Sequence, residues 1–130
     1  MALVVVQNNK PAQCFTAVPV STYKDDPPAV GDFIKLSTGQ NYEVNVCADG
    51  DDPAGIVRWV APDYSYLTVE LFFYSGCVRL LYETSGPNVP ALGEAMDGGN
   101  EKNKIQGNGT AGVGYCWALD VETGYADFLV

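Results

Sequence analysis

The chain has 130 residues, 47% of them hydrophobic, 18% charged and 12% aromatic, a composition that fits one folded domain with a real core and excludes a disordered tail. Seven basic residues against 16 acidic ones leave a formal charge of −9, and the scattered lysines and arginines exclude a protein that tracks phosphates, so nucleic acid is not an expected partner. Histidine is absent, which removes the commonest general base and the commonest zinc ligand.

Residues 1–28 read as an N-terminal arm or an added edge strand. Two apolar stretches, 2–6 (Ala2, Leu3, Val4, Val5, Val6) and 13–18, flank a polar spacer, and Pro27-Pro28 break any strand that reaches them. The first stretch is too short for a signal core and has no basic flank, and nothing approaches the roughly 20 apolar residues of a bilayer span. Synthesis in a cytosol, with no membrane as partner, is the expectation.

Residues 29–130 read as a single β-barrel-like domain. Tyr42, Val44 and Val46 alternate with polar neighbours, as do Leu67, Val69, Leu71 and Phe73. Val78, Leu80 and Tyr82 follow a Ser75-Gly76 turn. A short segment around 104–106 stands in a polar loop rich in Gly and Asn. Val113, Tyr115, Trp117 and Leu119 are expected on one face of a strand, with the small residues Gly114, Cys116 and Ala118 on the other. A closing strand runs from Tyr125 to the end, after a Glu122-Thr123-Gly124 turn. The pattern predicts an all-β fold without an amphipathic helix.

The reactive residue types do not assemble into a motif. Cys14, Cys47, Cys77 and Cys116 are spread out with no Cys-x-x-Cys pair and read as small apolar thiols. Asp49, Asp51 and Asp52 are the densest acidic cluster, but the spacing lacks the distal glutamate of an EF-hand, and a solvated turn is the plainer reading. Asp32, Glu43, Glu70, Glu83 and Asp120 invite a glycosidase reading that no local motif supports. The glycines from Gly107 to Gly114 precede no helix and so form no phosphate cradle. The sequon at Asn108 reads as a turn. No catalytic residue, metal or cofactor is therefore predicted, and the chain reads as a non-enzyme. Trp59, Tyr64 and Tyr66, with Trp117, are candidate glycan-stacking or interface aromatics.

One phrase occurs twice. Val30-Gly31-Asp32-Phe33-Ile34-Lys35 opens a unit that closes on Ala54-Gly55-Ile56-Val57, and Leu92-Gly93-Glu94-Ala95-Met96 opens one that closes on Ala111-Gly112-Val113-Gly114. Two related half-units, each too small to bury a core alone, are expected. The Gly-acid openings, the Ala-Gly closings and the last strand together resemble the capsid decoration proteins of tailed bacteriophages, also called head-stabilising or cement proteins. The resemblance spans about residues 30–130. It implies a small β-barrel or β-tulip-like domain with an extended N-terminal arm, forming a homotrimer on the outer capsid surface of the virion. The major capsid protein would be the partner, and the protein would be made in the host cytoplasm. Carried onto this chain, Ala2, Leu3, Val4, Val5 and Val6 become the stretch that pairs with capsid protein, and Phe15 an apolar anchor. A carbohydrate-binding β module, or another β-rich tail or fibre subunit, is the alternative.

Overall fold

A computed structural model describes residues 14–19, 26–72, 76–108 and 113–130, which form ten β-strands and no helix. The first five are β1 (Cys14–Pro19), β2 (Phe33–Leu36), β3 (Glu43–Val46), β4 (Gly55–Val60) and β5 (Leu67–Leu71). They close into a barrel in the order β1-β3-β2-β4-β5. The next five are β6 (Cys77–Leu81), β7 (Ala95–Gly98), β8 (Ile105–Asn108), β9 (Val113–Asp120) and β10 (Tyr125–Leu129). They form a second sheet in the order β6-β10-β9-β7-β8, whose ends are joined by a parallel bridge between Tyr82 and Ile105.

The two sheets are copies of one design. In the first, β1 runs parallel to β3, while β1–β5, β2–β3, β2–β4 and β4–β5 are antiparallel. The second repeats these antiparallel pairings as β6–β10, β7–β8, β7–β9 and β9–β10. Register agrees as well as order. Pro19 faces Val44 across the parallel pair, as Tyr82 faces Ile105. Each copy carries a one-residue bulge at the corresponding place, Arg58 in β4 and Trp117 in β9, both skipped in the ladder.

The Gly-acid openings are the same turn built twice. Gly31 and Gly93 take φ of +98° and +81°, a left-handed backbone that side chains other than glycine's adopt at a cost. The acid that follows accepts from the backbone three residues earlier, Ala29 N to Asp32 Oδ2 and Ala91 N to Glu94 Oε2, both at 3.0 Å. Gly31 N then donates to Val57 O, and Gly93 N to Cys116 O. The closing phrases do not match in this way. Val57 corresponds to Cys116, two residues beyond Gly114, and Ala111 and Gly112 lie outside the described residues.

Each sheet fills its interior from equivalent positions. Ala17, Ile34, Val44, Val57, Leu67 and Val69 line the barrel, and Leu80, Met96, Ile105, Cys116, Ala126 and Phe128 stand at the same positions in the second sheet. The second core is larger, because Phe33, Cys47, Ile56 and Phe72 on the outside of the barrel are buried in it. Phe33 and Phe72 meet there with ring centroids 6.0 Å apart. Polar contacts tie the same junction. Phe33 N donates to Lys102 O at 2.9 Å, Gly50 N to Gly98 O at 2.9 Å, and Gly98 N to Asp51 O at 2.7 Å. A Cβ on Gly98 would lie 2.8 Å from Ala48 O, so the two halves meet only because that residue has no side chain. The barrel and its matching sheet become one unit by sharing a core that neither could enclose alone.

Several expectations change with this register. Within the span 1–28, residues 14–19 form β1, hydrogen-bonded to β5 on one side and β3 on the other, so this part of the lead-in is a two-sided barrel strand. The predicted alternation in 67–73 ends early: Phe72 is buried, and Phe73 lies outside the described residues. In β9 the bulge at Trp117 reverses the facing. Tyr115 and Trp117 point outward, whereas Leu119 returns to pack on the core, so the four residues do not share a face.

Candidate functional site

Barrel interiors are filled with side chains, which leaves the strand faces to carry function. The outer face of the second sheet is built from β6, β10 and β9. Cys77 and Tyr115 flank Leu129, Arg79 and Ala118 flank Asp127, and Leu81 and Asp120 flank Tyr125. Tyr115 and Trp117 are 62% and 66% exposed, and Tyr125 and Leu129 about two-fifths exposed. At the centre Arg79 grips Asp127 through two bonds, Nε to Oδ1 at 2.8 Å and Nη2 to Oδ2 at 3.0 Å. Asp127 itself is only 2% exposed, and its hydrogen bond raises the pKa of the Arg79 guanidinium above the usual value. The face thus presents aromatic and aliphatic surface around a neutralised pair, with Trp, Tyr and Arg, the residue types that dominate binding hot spots.

The corresponding face of the barrel has a different character. Where the second sheet has Trp117 and Leu129, the barrel has Arg58 and Glu70, paired through Arg58 Nε and Nη2 to Glu70 Oε1 at 3.2 and 3.1 Å. Trp59 lies opposite Thr68, which lies opposite Thr16. Trp59 and Tyr66 pack with ring centroids 5.4 Å apart and planes tilted by 45°, and both remain more than two-fifths exposed. Tyr64 sits at the tip of the β4–β5 turn with φ of +59°. Ser65 donates to Asp63 Oδ1 through both N and Oγ, holding the Asp63 carboxyl below its ordinary pKa and fixing that turn.

The structure therefore brings the predicted Trp59, Tyr64 and Tyr66 to one end of the barrel and puts Trp117 on the other sheet. Phe15 stands on β1 opposite Val69, at a barrel mouth where Leu36, Tyr42 and Leu71 help to line a cavity of about 340 Å³. Ala2, Leu3, Val4, Val5 and Val6 lie outside the described residues. Tyr115, Tyr125 and Leu129 are surface residues that the alternation of β9 and β10 does not single out, because only the bulge reveals which face is outside.

The acidic cluster works within the fold. Asp51 accepts from Lys35 Nζ at 2.7 Å and from Ala48 N at 2.8 Å, which hold its carboxyl below the usual range. Asp49 accepts from Gln106 Nε2 at 2.8 Å, across the junction between the halves. Among the described residues no group of three or more His, Cys, Asp or Glu is placed to hold a metal ion.

The cysteines divide by burial. Desolvation pushes the Cys47 thiol up to about 12, with Asp51 adding to it, and the Cys116 thiol up to about 11, with Glu94 adding. Cys14 is exposed and Cys77 half-buried. A titration with a thiol reagent in native buffer is expected to modify Cys14 first and Cys77 more slowly, with Cys47 and Cys116 reacting only in denaturant. Rapid native modification of Cys116 would mean that the second core opens far more readily than its packing implies. In comparisons with known proteins, no family model, no curated protein and no solved structure matches this chain.

Proposed function

We propose that this protein is a structural, adhesive component of a phage virion, a decoration protein that grips the outer surface of the assembled capsid as a homotrimer. The observation that carries the reading is the outer face of β6, β10 and β9. Tyr115, Trp117, Tyr125 and Leu129 surround the Arg79–Asp127 pair there, whereas the barrel positions equivalent to Trp117 and Leu129 hold the polar Arg58 and Glu70. A surface with that composition, on a scaffold stiffened by a shared core, fits a protein partner, here the major capsid protein.

Adhesion of this kind needs rigidity and a patch that excludes water. A shell repeats its sites, so a small oligomer clamps several subunits at once, and each linked contact gains from effective concentration. The resemblance in the Gly-acid phrases supports the same reading, and those phrases build the turn on which each half is founded.

The test is sedimentation with expanded shells of the phage that encodes the chain. Wild-type protein is expected to pellet with shells. Trp117→Ala should weaken the association by about 30-fold or more, the effect of losing a hot-spot anchor. Failure of the wild type to pellet, or unchanged binding by Trp117→Ala, would count against this face as the capsid contact.

A further inference from the structure

The duplication supplies an internal reference, because the same strand face occurs twice on one scaffold with different side chains. On the second sheet aromatic and aliphatic groups surround the Arg79–Asp127 pair. On the barrel the face combines an aromatic corner with hydrogen-bonding groups: Trp59 and Tyr66 beside Thr68, Thr16 and the Arg58–Glu70 pair. We propose that this barrel face is a second binding site, separate from the capsid contact, and that it takes a neutral hexopyranose within an oligosaccharide.

The chemistry of a sugar ring fits what is present. One side of a pyranose is a sheet of C–H groups, and an exposed indole offers an apolar plane of matching size with a polar edge. Tyr66, inclined at 45° and 5.4 Å away, forms a wall to that floor. Ring hydroxyls are both donors and acceptors, and the face offers both: Arg58 donates, and Thr68 and Thr16 do either, while Glu70, only 6% exposed, holds Arg58 in place. Arg58 and Glu70 already hold one another, which keeps both oriented before a ligand arrives.

The corner is also preorganised. Tyr64 N donates to Ala61 O at 2.8 Å, Ala61 N donates to Tyr66 O at 3.1 Å, and Asp63 closes the turn through Ser65. Small five-stranded barrels present strand faces to oligosaccharides and to single-stranded nucleic acids alike, and charge decides between the two here. A nucleic-acid face needs several cations along the backbone path. Arg58 is compensated by Glu70, and the whole chain carries −9.

The chain has only two tryptophans, so Trp117→Phe leaves Trp59 as the sole indole and makes its fluorescence a direct reporter of the site. That variant is titrated with hexamers of glucose, mannose, galactose and N-acetylglucosamine, and separately with an oligothymidylate. At least one sugar series is expected to shift the Trp59 emission saturably at millimolar concentration or below. Measured by NMR titration against the wild type, Trp59→Ala should lose at least tenfold in affinity for that sugar, and Thr68→Val a smaller factor. Trp117→Ala should bind it within twofold of the wild type. Tyr66→Ala, on the turn and away from the core, is a second variant should Trp59→Ala fold poorly. The proposal is overturned if none of the sugars saturates, if oligothymidylate binds in their place, or if both aromatic variants bind sugar normally. Shell sedimentation by Trp59→Ala should be unchanged, so the two sites fail or hold separately.

Discussion

Phe33→Ala is expected to destabilise the protein by about 3–5 kcal/mol, the largest effect of any single truncation considered. Phe33 is 1% exposed and belongs to the barrel by sequence but to the second core by contact, where it packs against Phe72. Its loss removes the transfer energy of a full aromatic side chain. It also leaves a cavity at a junction pinned on both sides by backbone bonds from Phe33 to Lys102 and from Gly50 to Gly98. For a chain of this size the midpoint of thermal unfolding should fall by about 10 °C or more. The wild type should melt in one transition, since the halves share a core, and the variant should broaden or split as they uncouple. Calorimetry checks both points. A variant that melts as one sharp transition at the wild-type midpoint would show that Phe33 is not what couples the two halves.

The second large effect is expected at Arg79. Replacing it by Met leaves Asp127, 2% exposed, without the two guanidinium bonds that offset its burial. The cost should be about 3 kcal/mol, at the lower end for a broken buried pair because the Arg79 side chain is itself 37% exposed and water can reach part of the gap. The double variant Arg79→Met with Asp127→Leu should regain most of that stability, because no buried charge is then left unpaired. Urea unfolding of the two variants provides the measurement. A single variant as stable as the wild type would mean that the pair is maintained for something other than folding, with partner recognition the first candidate.

How much of this was legible in the chain varies by residue. Gly31-Asp32 and Gly93-Glu94 were readable as a repeated opening because the turn is local: a glycine with positive φ and an acid that reaches back three residues depend on nothing far away. The strands were readable for the same reason, since Val78, Leu80 and Tyr82 alternate at the period of the pleat and all are buried. The closing phrases misled, because Ala54-Gly55 and Ala111-Gly112 match in letters while the ladder aligns Val57 with Cys116. A bulge inserts one residue without leaving a mark that a periodic pattern can register, so the facing of Tyr115, Trp117 and Leu119 could not be read from alternation.

The candidate surfaces follow the same division. Trp59, Tyr64 and Tyr66 are close in sequence, span one turn, and were found together. The outer face of the second sheet draws Arg79, Trp117 and Asp127 from three strands. Its composition appears only when β6, β10 and β9 are laid side by side.

By itself the amino-acid order determined an all-β chain, its turns, and the doubling of a Gly-acid motif, all set by φ preferences and by periods of two residues. Tertiary structure alone decided that the strands form a closed barrel and a matching five-stranded sheet, that Phe33 serves the core of the other half, and which aromatics meet solvent. Those outcomes rest on register between segments tens of residues apart, where a one-residue shift exchanges inside for outside.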